Sequence, residues 1–256
     1  MTARPNNYPI LEFDPAREAL LEPSTLTEPA DVAEACVLCF FQDVIAQVCA
    51  GARVVKYLGS EIGRNPVYEI EVEGQRLAVL HPGVGAPLAA GFLEEAIALG
   101  CRRFIACGGC GVLDGGLGVG DVVVPTSAVR DEGTSYHYLP PAREVRADPA
   151  GLAAIEAVLA AHDIPFTTGK TWTTDALYRE TRAKIAWRKA EGCIVVEMEA
   201  AAFFAVAQFR GVAFGQLLYG GDDVSGEVWD HRDWIHGRAG TREKLFWLAA
   251  EAALRL

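Results

Sequence analysis

Short apolar runs alternate with segments of helical periodicity along the chain after residue 30. Apolar runs bounded by glycine, proline or polar residues predict strands at residues 34–40, 53–58, 67–73, 76–81, 103–107, 121–129, 166–173, 193–197 and 212–218. Apolar residues at helical spacing, with capping residues at their ends, predict helices at residues 42–50, 87–99, 149–161, 179–190, 199–210 and 241–256.

The order of these elements predicts the fold class. Strands alternate with helices, apart from an early hairpin whose turn is Gly74-Gln75. We therefore predict an α/β fold, a single-domain three-layer sandwich with a central mixed, mostly parallel sheet flanked by helices. Residues 31–256 are expected to form this domain. Residues 1–30, rich in proline and acids, are expected to form an extended N-terminal arm with a short helical turn at 15–21.

Composition and charge exclude several classes of partner. Half of the 256 residues are hydrophobic (51%), which is enough for the core of one large domain. A formal net charge of -11 argues against nucleic-acid binding, which needs a basic surface. The first residues lack a charged head followed by an apolar core, and no apolar run reaches the roughly 18–20 residues of a membrane helix. We expect a soluble, cytoplasmic protein without a membrane or nucleic-acid partner.

Seven cysteines include two Cys-x-x-Cys pairs, Cys36/Cys39 and Cys107/Cys110. A zinc site would need both pairs to converge, but residues three apart in a strand face opposite sides. The second pair could be redox-active, although it does not open a helix as thioredoxin-like pairs do. We favour buried thiols for the first pair and loop packing for the second. The five histidines are scattered, so no metal site is expected.

Two acids stand directly after an apolar strand, in the segment Glu197-Met198-Glu199. Glu199 begins a helix that is apolar on nearly every side, so this carboxylate is expected to lie at a buried helix start. The helix dipole alone would favour an acid there. The functional alternative is that Glu199 accepts hydrogen bonds from two adjacent hydroxyls, such as the cis-diol of ribose.

Two glycine-containing segments follow neighbouring strands, at residues 81–87 and 107–111, and the second opens a glycine-rich run expected to be a loop from 108 to 120. Glycine allows a backbone to approach a ligand closely and present its N–H groups. Neither segment has the Walker or the dinucleotide-binding pattern. Ordinary turns explain such glycines equally well, but two segments at successive strand ends favour a ligand cradle.

A further turn candidate, residues 220–223, follows the last predicted strand and contains Asp222. Glycine and aspartate are the residues expected in a plain turn. The alternative is that Asp222 protonates a leaving group.

Residues 83–111, 119–138, 173–180 and 195–212, together with Asp222, resemble the nucleoside phosphorylase family, which includes purine nucleoside and uridine phosphorylases and methylthioadenosine nucleosidases. VEMEAAA at 196–202 is the most specific part. The resemblance implies that a purine nucleoside or uridine is cleaved by phosphate, without another cofactor, to free base and ribose 1-phosphate. It also implies a homodimer or homohexamer.

The resemblance assigns roles to individual residues. Glu199 would hold the ribose hydroxyls, Met198 would pack under the sugar, and Glu197 would support the site or touch the ligand. Asp222 would protonate the imidazole nitrogen of a departing purine. The base and phosphate side would be formed by Gly85, Gly108, Gly109, Cys110, Thr174, Asp175 and Arg64, the last of these reaching a neighbouring subunit's site.

The sequence departs from the family pattern where phosphate should bind. Phe40-Phe41-Gln42-Asp43-Val44 stands in place of Gly-Asp-Pro-x-Arg, and Ala106 stands in place of a second arginine. Arginine suits phosphate because its fork contacts two oxygens at once. Hydrolysis, with Glu197 orienting a water, and nucleoside binding without catalysis therefore remain alternatives to phosphorolysis. The preferred base also stays open. Tyr136 and His137 could lie near the site, or on the surface.

Overall fold

The computed structural model describes residues 6–233 and 239–256. In that part of the chain the strands are β1 (Ala35–Cys39), β2 (Arg53–Ser60), β3 (Gly63–Val72), β4 (Gln75–Leu80), β5 (Arg103–Val112), β6 (Val122–Asp131), β7 (Glu144–Arg146), β8 (Phe166–Thr174), β9 (Cys193–Glu197) and β10 (Ala213–Asp223). The α-helices are α1 (Pro23–Leu26), α2 (Gln42–Val48), α3 (Ala86–Leu99), α4 (Pro149–Ala161), α5 (Arg182–Ala190), α6 (Ala200–Arg210) and α7 (Ala239–Arg255). Every predicted strand and helix has a counterpart, and β7 and α1 were not predicted.

The strands form one sheet in the order β10-β6-β8-β9-β5-β1-β4-β3-β2, with β7 beside β6. Because β10 also pairs with β5, the strands β10, β6, β8, β9 and β5 close into a ring. Among the described residues five pairings are parallel and five antiparallel, and the two longest pairings, β10–β5 and β6–β8, are parallel, so the predicted mixed sheet is confirmed. The additional antiparallel contacts, β5–β9, β10–β6 and β6–β7, join strands that are distant in sequence or very short, which periodicity does not specify.

Helices cover both faces of the sheet and confirm the predicted three-layer sandwich. Alternate residues of β1 point to opposite layers, because Cys36 and Leu38 pack with α3 and α6, whereas Val37 and Cys39 pack with α2, α4 and α7. In the described parts of the chain, no helix has the length and apolar character needed to cross a bilayer.

Strands β5 and β10 run further than the sequence indicated. The glycine-rich run was expected to be a loop from residue 108, but β5 continues to Val112, paired with β10 through Gly108–Leu218 and Gly109–Tyr219. The predicted turn at 220–223 likewise belongs to β10. Glycine is required at position 111 because a Cβ there would lie 2.9 Å from Cγ1 of Val196 on β9. These glycines therefore allow close strand approach rather than ending a strand.

All seven cysteines are free and buried. Both Cys-x-x-Cys pairs lie in strands, so the expected buried thiols are confirmed, while the expected loop at Cys107 and Cys110 was wrong. Burial raises the pKa of the thiols of Cys36, Cys107 and Cys110 well above the ordinary value.

The N-terminal arm, as far as it is described, is largely exposed and contains two short helical turns. The turn expected at residues 15–21 is absent there, and the observed turns lie at Pro9–Leu11 and Pro23–Leu26. Each observed turn opens with a proline, whose fixed φ suits a first helical position. Residues 1–5 lie outside the described residues.

The close packing of α4 on β10 gives a stability prediction. A Cβ added at Gly151 would lie 2.1 Å from the carbonyl oxygen of Phe214 and 2.7 Å from the amide nitrogen of Gly215. Both are backbone atoms, so the helix itself must move away from the sheet. We expect Gly151→Ala to lower the free energy of unfolding by about 3 kcal/mol or more, measured by urea denaturation. Gly91→Ala is the matched control, because Gly91 is an exposed helical glycine with open space around it. It should be neutral or stabilise by roughly 0.5–1 kcal/mol. Equal stability of the two variants would contradict the packing of α4.

Candidate active site

The carboxyl ends of β1, β5, β9 and β10 meet around a cavity of about 1100 Å³. Its wall includes residues 40–43 after β1, residues 108–111 of β5, residues 196–199 at the end of β9 and the end of β10. All four segments that the sequence singled out at strand ends contribute to this wall, the segment 81–87 through Val84. This volume is close to the upper end of the roughly 300–1,000 Å³ that is usual for small-ligand pockets.

Glu197 is held by four hydrogen bonds. Its Oε1 accepts from the hydroxyls of Thr173 (2.6 Å) and Thr171 (3.2 Å), and its Oε2 accepts from the backbone N–H groups of Glu199 (2.7 Å) and Ala200 (2.6 Å). Burial raises the pKa of Glu197, while these hydrogen bonds act in the opposite direction. A carboxylate has about four acceptor positions. Glu197 therefore anchors the first turn of α6 and has no position left for orienting a water.

Glu199 faces a different environment from its neighbour. Its side chain makes no capping hydrogen bond to α6, although it occupies the N-cap position, so capping of that helix does not explain this acid. Instead its Oε1 accepts from the N–H of Gly85 (2.6 Å), which begins α3 at a positive φ of 88°. Burial raises the pKa of Glu199 to about 8, and the charge of Glu197 adds to the increase. The carboxylate retains acceptor positions for a ligand, and the half-buried Met198 lines the cavity beside it.

Asp222 enters the cavity from an irregularity in β10. Gly220 pairs with Cys110 and Asp223 with Val112, so two residues of β10 lie opposite the single residue Gly111 of β5. Such a bulge changes the direction of a side chain and is common beside active sites. Asp222 Oδ2 accepts a hydrogen bond from the indole Nε1 of Trp229 at 2.7 Å.

The glycine segment of β5 separates two aromatic side chains. A Cβ on Gly108 would contact the ring of Phe40 at 3.0 Å, and a Cβ on Gly109 would contact the ring of Tyr219 at 3.4 Å. The thiol of Cys110 donates to the carbonyl of Tyr219 at 3.3 Å, and Cys110 is buried. This segment thus lines the cavity largely with backbone.

The positions where the family pattern has phosphate arginines are apolar or neutral. Val44, which stands at the first arginine position, is buried in the core beside α4 and α7. Ala106 pairs across the sheet with Gln216, which is 1% exposed and lines the cavity. The side-chain Oε1 of Gln216 has no hydrogen-bond partner among the described residues.

Among the described residues, the cavity wall contains one basic side chain, that of Arg242 on α7. Its Nη1 lies 3.5 Å from Oδ2 of Asp43, and its Nε donates to the hydroxyl of Tyr219 at 3.4 Å. Its guanidinium carbon is 5.5 Å from the ring centroid of Phe41. The cation is therefore held at the β1 and β10 side of the cavity.

Several predicted site residues lie outside this wall. Gly85 reaches it only through Glu199. Thr174 accepts from the N–H of Ala176 (3.2 Å), and Asp175 accepts from the N–H of Gly133 (2.9 Å). Arg64 stacks on the ring of Tyr57, with 4.4 Å to its centroid, in the β2–β3 hairpin. A role for Arg64 in a neighbouring subunit stays a prediction.

Tyr136 and His137 do not line the cavity either. They belong to a short 3₁₀ turn at Thr134–His137, where the hydroxyl of Tyr136 donates to the carbonyl of Arg130 (3.1 Å).

Polar wall residues that the sequence did not single out include Gln216, Trp229 and Arg242, whereas Glu180 ends the segment 173–180 that carries the resemblance. Burial raises the pKa of Glu180 to about 7, and the charge of Asp222 adds to the increase. The polar Gln216 within an apolar strand was a visible signal. No sequence signal marked Arg242, which lies at the start of a helix, or Trp229, which lies in a polar loop. Trp234, the other tryptophan of that loop, lies outside the described residues.

The sequence is similar to a known protein family and to individual members of it. The family model described as "Phosphorylase superfamily" matches residues 34–249. The guanosine phosphorylase of Halorubrum lacusprofundi is 33% identical over 205 residues, which cover 77% of this chain and 81% of that protein. The uridine phosphorylase of Salmonella typhimurium is 30% identical over 166 residues, which cover 59% of this chain and 65% of that protein.

Solved structures share the fold. The uridine phosphorylase from Vibrio fischeri superposes with a TM-score of 0.74 at 21% identity, covering 88% of this chain and 94% of that chain. The AMP nucleosidase from Bacteroides thetaiotaomicron superposes with a TM-score of 0.71, also at 21% identity, covering 88% of this chain and 89% of that chain. At such identities the likeness concerns the fold alone.

Proposed function

The chain belongs to the phosphorylase superfamily, and from that premise we propose that it cleaves the N-glycosidic bond of a nucleoside by phosphorolysis. The products are the free base and ribose 1-phosphate. The substrates that name its relatives, guanosine and uridine, support a ribonucleoside as the substrate class. Inorganic phosphate is the second substrate, and the proposal needs no other cofactor.

The environment of Glu199 carries this proposal. Its carboxylate is buried in the cavity wall, is not used to cap α6, and is fixed by one backbone N–H from α3. A buried acceptor held rigidly in this way suits two adjacent hydroxyl donors, which the ribose cis-diol supplies. Met198 would then lie under the sugar, and Asp222 would face the base. Glu197 would hold the start of α6 without touching the substrate.

In the proposed reaction the C1′–N bond breaks and its electron pair moves onto the base, which receives a proton from Asp222. A phosphate oxygen forms the new bond to C1′. The anionic groups around the sugar favour the positive charge that develops on the ring. The proton of hydrogenphosphate restores the acid through solvent, so that protons balance over the cycle.

Phosphate would approach on the side of Gly108 and Gln216. The unpartnered Oε1 of Gln216 can accept a hydrogen bond from the hydroxyl of hydrogenphosphate, and burying it without a donor costs roughly 1–3 kcal/mol. A neutral amide there binds phosphate less strongly than an arginine would.

Hydrolysis is the second candidate function. One observation favours it: Val44 and Ala106 occupy the positions of the expected phosphate arginines, and a water needs no cation. Gln216 could accept from that water, whereas the acceptor positions of Glu197 are already filled.

Product analysis distinguishes the two reactions. The protein is incubated with a panel of purine and pyrimidine ribonucleosides, with and without inorganic phosphate, and free base and ribose 1-phosphate are measured. Phosphorolysis predicts equal amounts of both products and no base release without phosphate. Base release that does not need phosphate would establish hydrolysis instead. Binding without turnover would contradict both.

The pKa of Glu199 predicts how nucleoside binding depends on pH. The diol donates to the ionised carboxylate, so binding lowers the pKa from its free value of about 8 and releases a proton. Affinity should therefore be constant above about pH 8 and weaken by up to about tenfold per pH unit below it. The measurement is a phosphate-free titration from about pH 6 to about pH 9.

Glu199→Gln should remove this pH dependence, whereas Glu180→Gln should leave it in place. A slope that persists in Glu199→Gln would assign the titration to another group.

We also propose that the protein acts as a homo-oligomer in the cytoplasm. The family resemblance supports the assembly, as a dimer or hexamer. Seven buried, unpaired cysteines suit a reducing compartment.

A further inference from the structure

We propose that the indole of Trp229 is a positioning residue that determines which oxygen of Asp222 carries the transferable proton. This inference rests on the proposed function. It assigns the proton to Oδ1 and the anchoring hydrogen bond to Oδ2.

The two oxygens of Asp222 have different surroundings. Oδ2 accepts from the indole Nε1 of Trp229 at 2.7 Å. Oδ1 is directed toward Gly111, where it would lie 3.6 Å from a Cβ at that position. An indole nitrogen only donates, so the oxygen it contacts must be an acceptor. A proton on the carboxyl group therefore resides on Oδ1, the oxygen beside the strand that lines the cavity.

Trp229 is placed for this contact by the loop that carries it. Asp223 and Asp230 close the loop through two backbone hydrogen bonds, of 2.8 and 3.0 Å. Arg232 then pairs with Asp223 and donates to the carbonyl of Leu117 at 2.9 Å. The backbone next to Trp229 is thus fixed to the same strand that carries Asp222. The indole itself lines the cavity and is 59% exposed, so core packing does not account for its position.

The contact gains strength as the reaction proceeds. When Oδ1 gives its proton to the base, the C1′–N electron pair moves to the base and Asp222 becomes a carboxylate. A hydrogen bond to an ionised acceptor is roughly twice as strong as one to a neutral acceptor. Trp229 therefore stabilises the carboxylate formed by proton transfer, in addition to orienting the acid before it.

The test compares leaving groups that do and do not need a proton. Trp229→Phe keeps an aromatic ring and removes the N–H. With a purine nucleoside, kcat should fall about 10- to 100-fold. With 4-nitrophenyl riboside, whose leaving group departs as a stable anion, kcat should change less than about threefold. Asp222→Asn should show the same selective loss, and the double variant should be no slower than Asp222→Asn alone.

Trp187→Phe is the matched control, because Trp187 is similarly exposed (60%) and lies on α5 outside the cavity wall. It should leave both substrates unaffected. An equal loss on both substrates in Trp229→Phe would mean that the indole only supports the loop. No loss on either substrate would mean that it has no role. Both results would overturn the inference while leaving the proposed function in place.

A measurement without turnover tests the contact itself. In protein with ¹⁵N-labelled tryptophan, the indole N–H resonance that disappears in Trp229→Phe should shift in Asp222→Asn. An unshifted resonance would overturn the inference. If the wild-type protein cleaves neither riboside, the proposed function fails, and this resonance still decides whether the indole and Asp222 interact.

Discussion

Replacing Glu199 with alanine should lower kcat/KM for the preferred nucleoside by about 10²- to 10⁴-fold. The proposed site loses two hydrogen bonds from the ribose hydroxyls to a carboxylate, each of which contributes roughly 1.5–3 kcal/mol. The loss should appear in both KM and kcat, because the sugar is no longer held against the nucleophile while positive charge develops on it. Steady-state kinetics with saturating phosphate is the measurement.

The fold should survive this change. Glu197, and not Glu199, satisfies the first N–H groups of α6, so that helix keeps its capping interactions in the variant. Glu156→Ala provides the matched control, since Glu156 is an exposed acid on α4 far from the cavity wall. It should show wild-type kinetics. If Glu199→Ala retains wild-type kcat/KM, the sugar-binding assignment is wrong.

Replacing Asp222 with asparagine should lower kcat on purine nucleosides by about 10²- to 10⁴-fold. An amide of nearly the same size can still accept from Trp229, but it cannot give a proton to the base. The effect on uridine should be smaller, because uracil lacks the imidazole nitrogen at which a departing purine is protonated. KM should change little, since the acid acts mainly in the transition state.

Asp163→Asn is the control for this second variant, because Asp163 is exposed in the connection between α4 and β8. Its positive φ of 52° is also tolerated by asparagine. Its kinetics should match the wild type. Equal losses on purine nucleosides and uridine in Asp222→Asn would refute the role of Asp222 as the acid for the purine nitrogen.

The elements that could be predicted from the sequence are those that local residue patterns specify. Helix α3 shows this directly, since Pro87 near its first turn, Gly100 at its end and apolar residues at helical spacing lie within one short stretch. The extensions of β5 and β10 could not be read in the same way. Their glycines resemble turn residues, and only pairing between strands that are distant in sequence makes them part of a sheet.

In the candidate site, too, local sequence revealed some residues, but the role of each residue depends on distant contacts. Glu197 and Glu199 were visible because two acids follow an apolar strand, but their different tasks depend on contacts to Thr173 and Gly85, far away in the sequence. Trp229 had no local signal, since its importance lies in one contact to a bulged strand.

We propose that the cavity binds a ribonucleoside through its cis-diol at Glu199. Calorimetric binding without phosphate tests it most directly, with the preferred ribonucleoside and its 2′,3′-dideoxy analogue compared in the wild type and in Glu199→Gln. Loss of the hydroxyls should weaken wild-type binding by about 100-fold and should weaken binding to Glu199→Gln by much less. The same loss in both proteins, or none in the wild type, would contradict the claim.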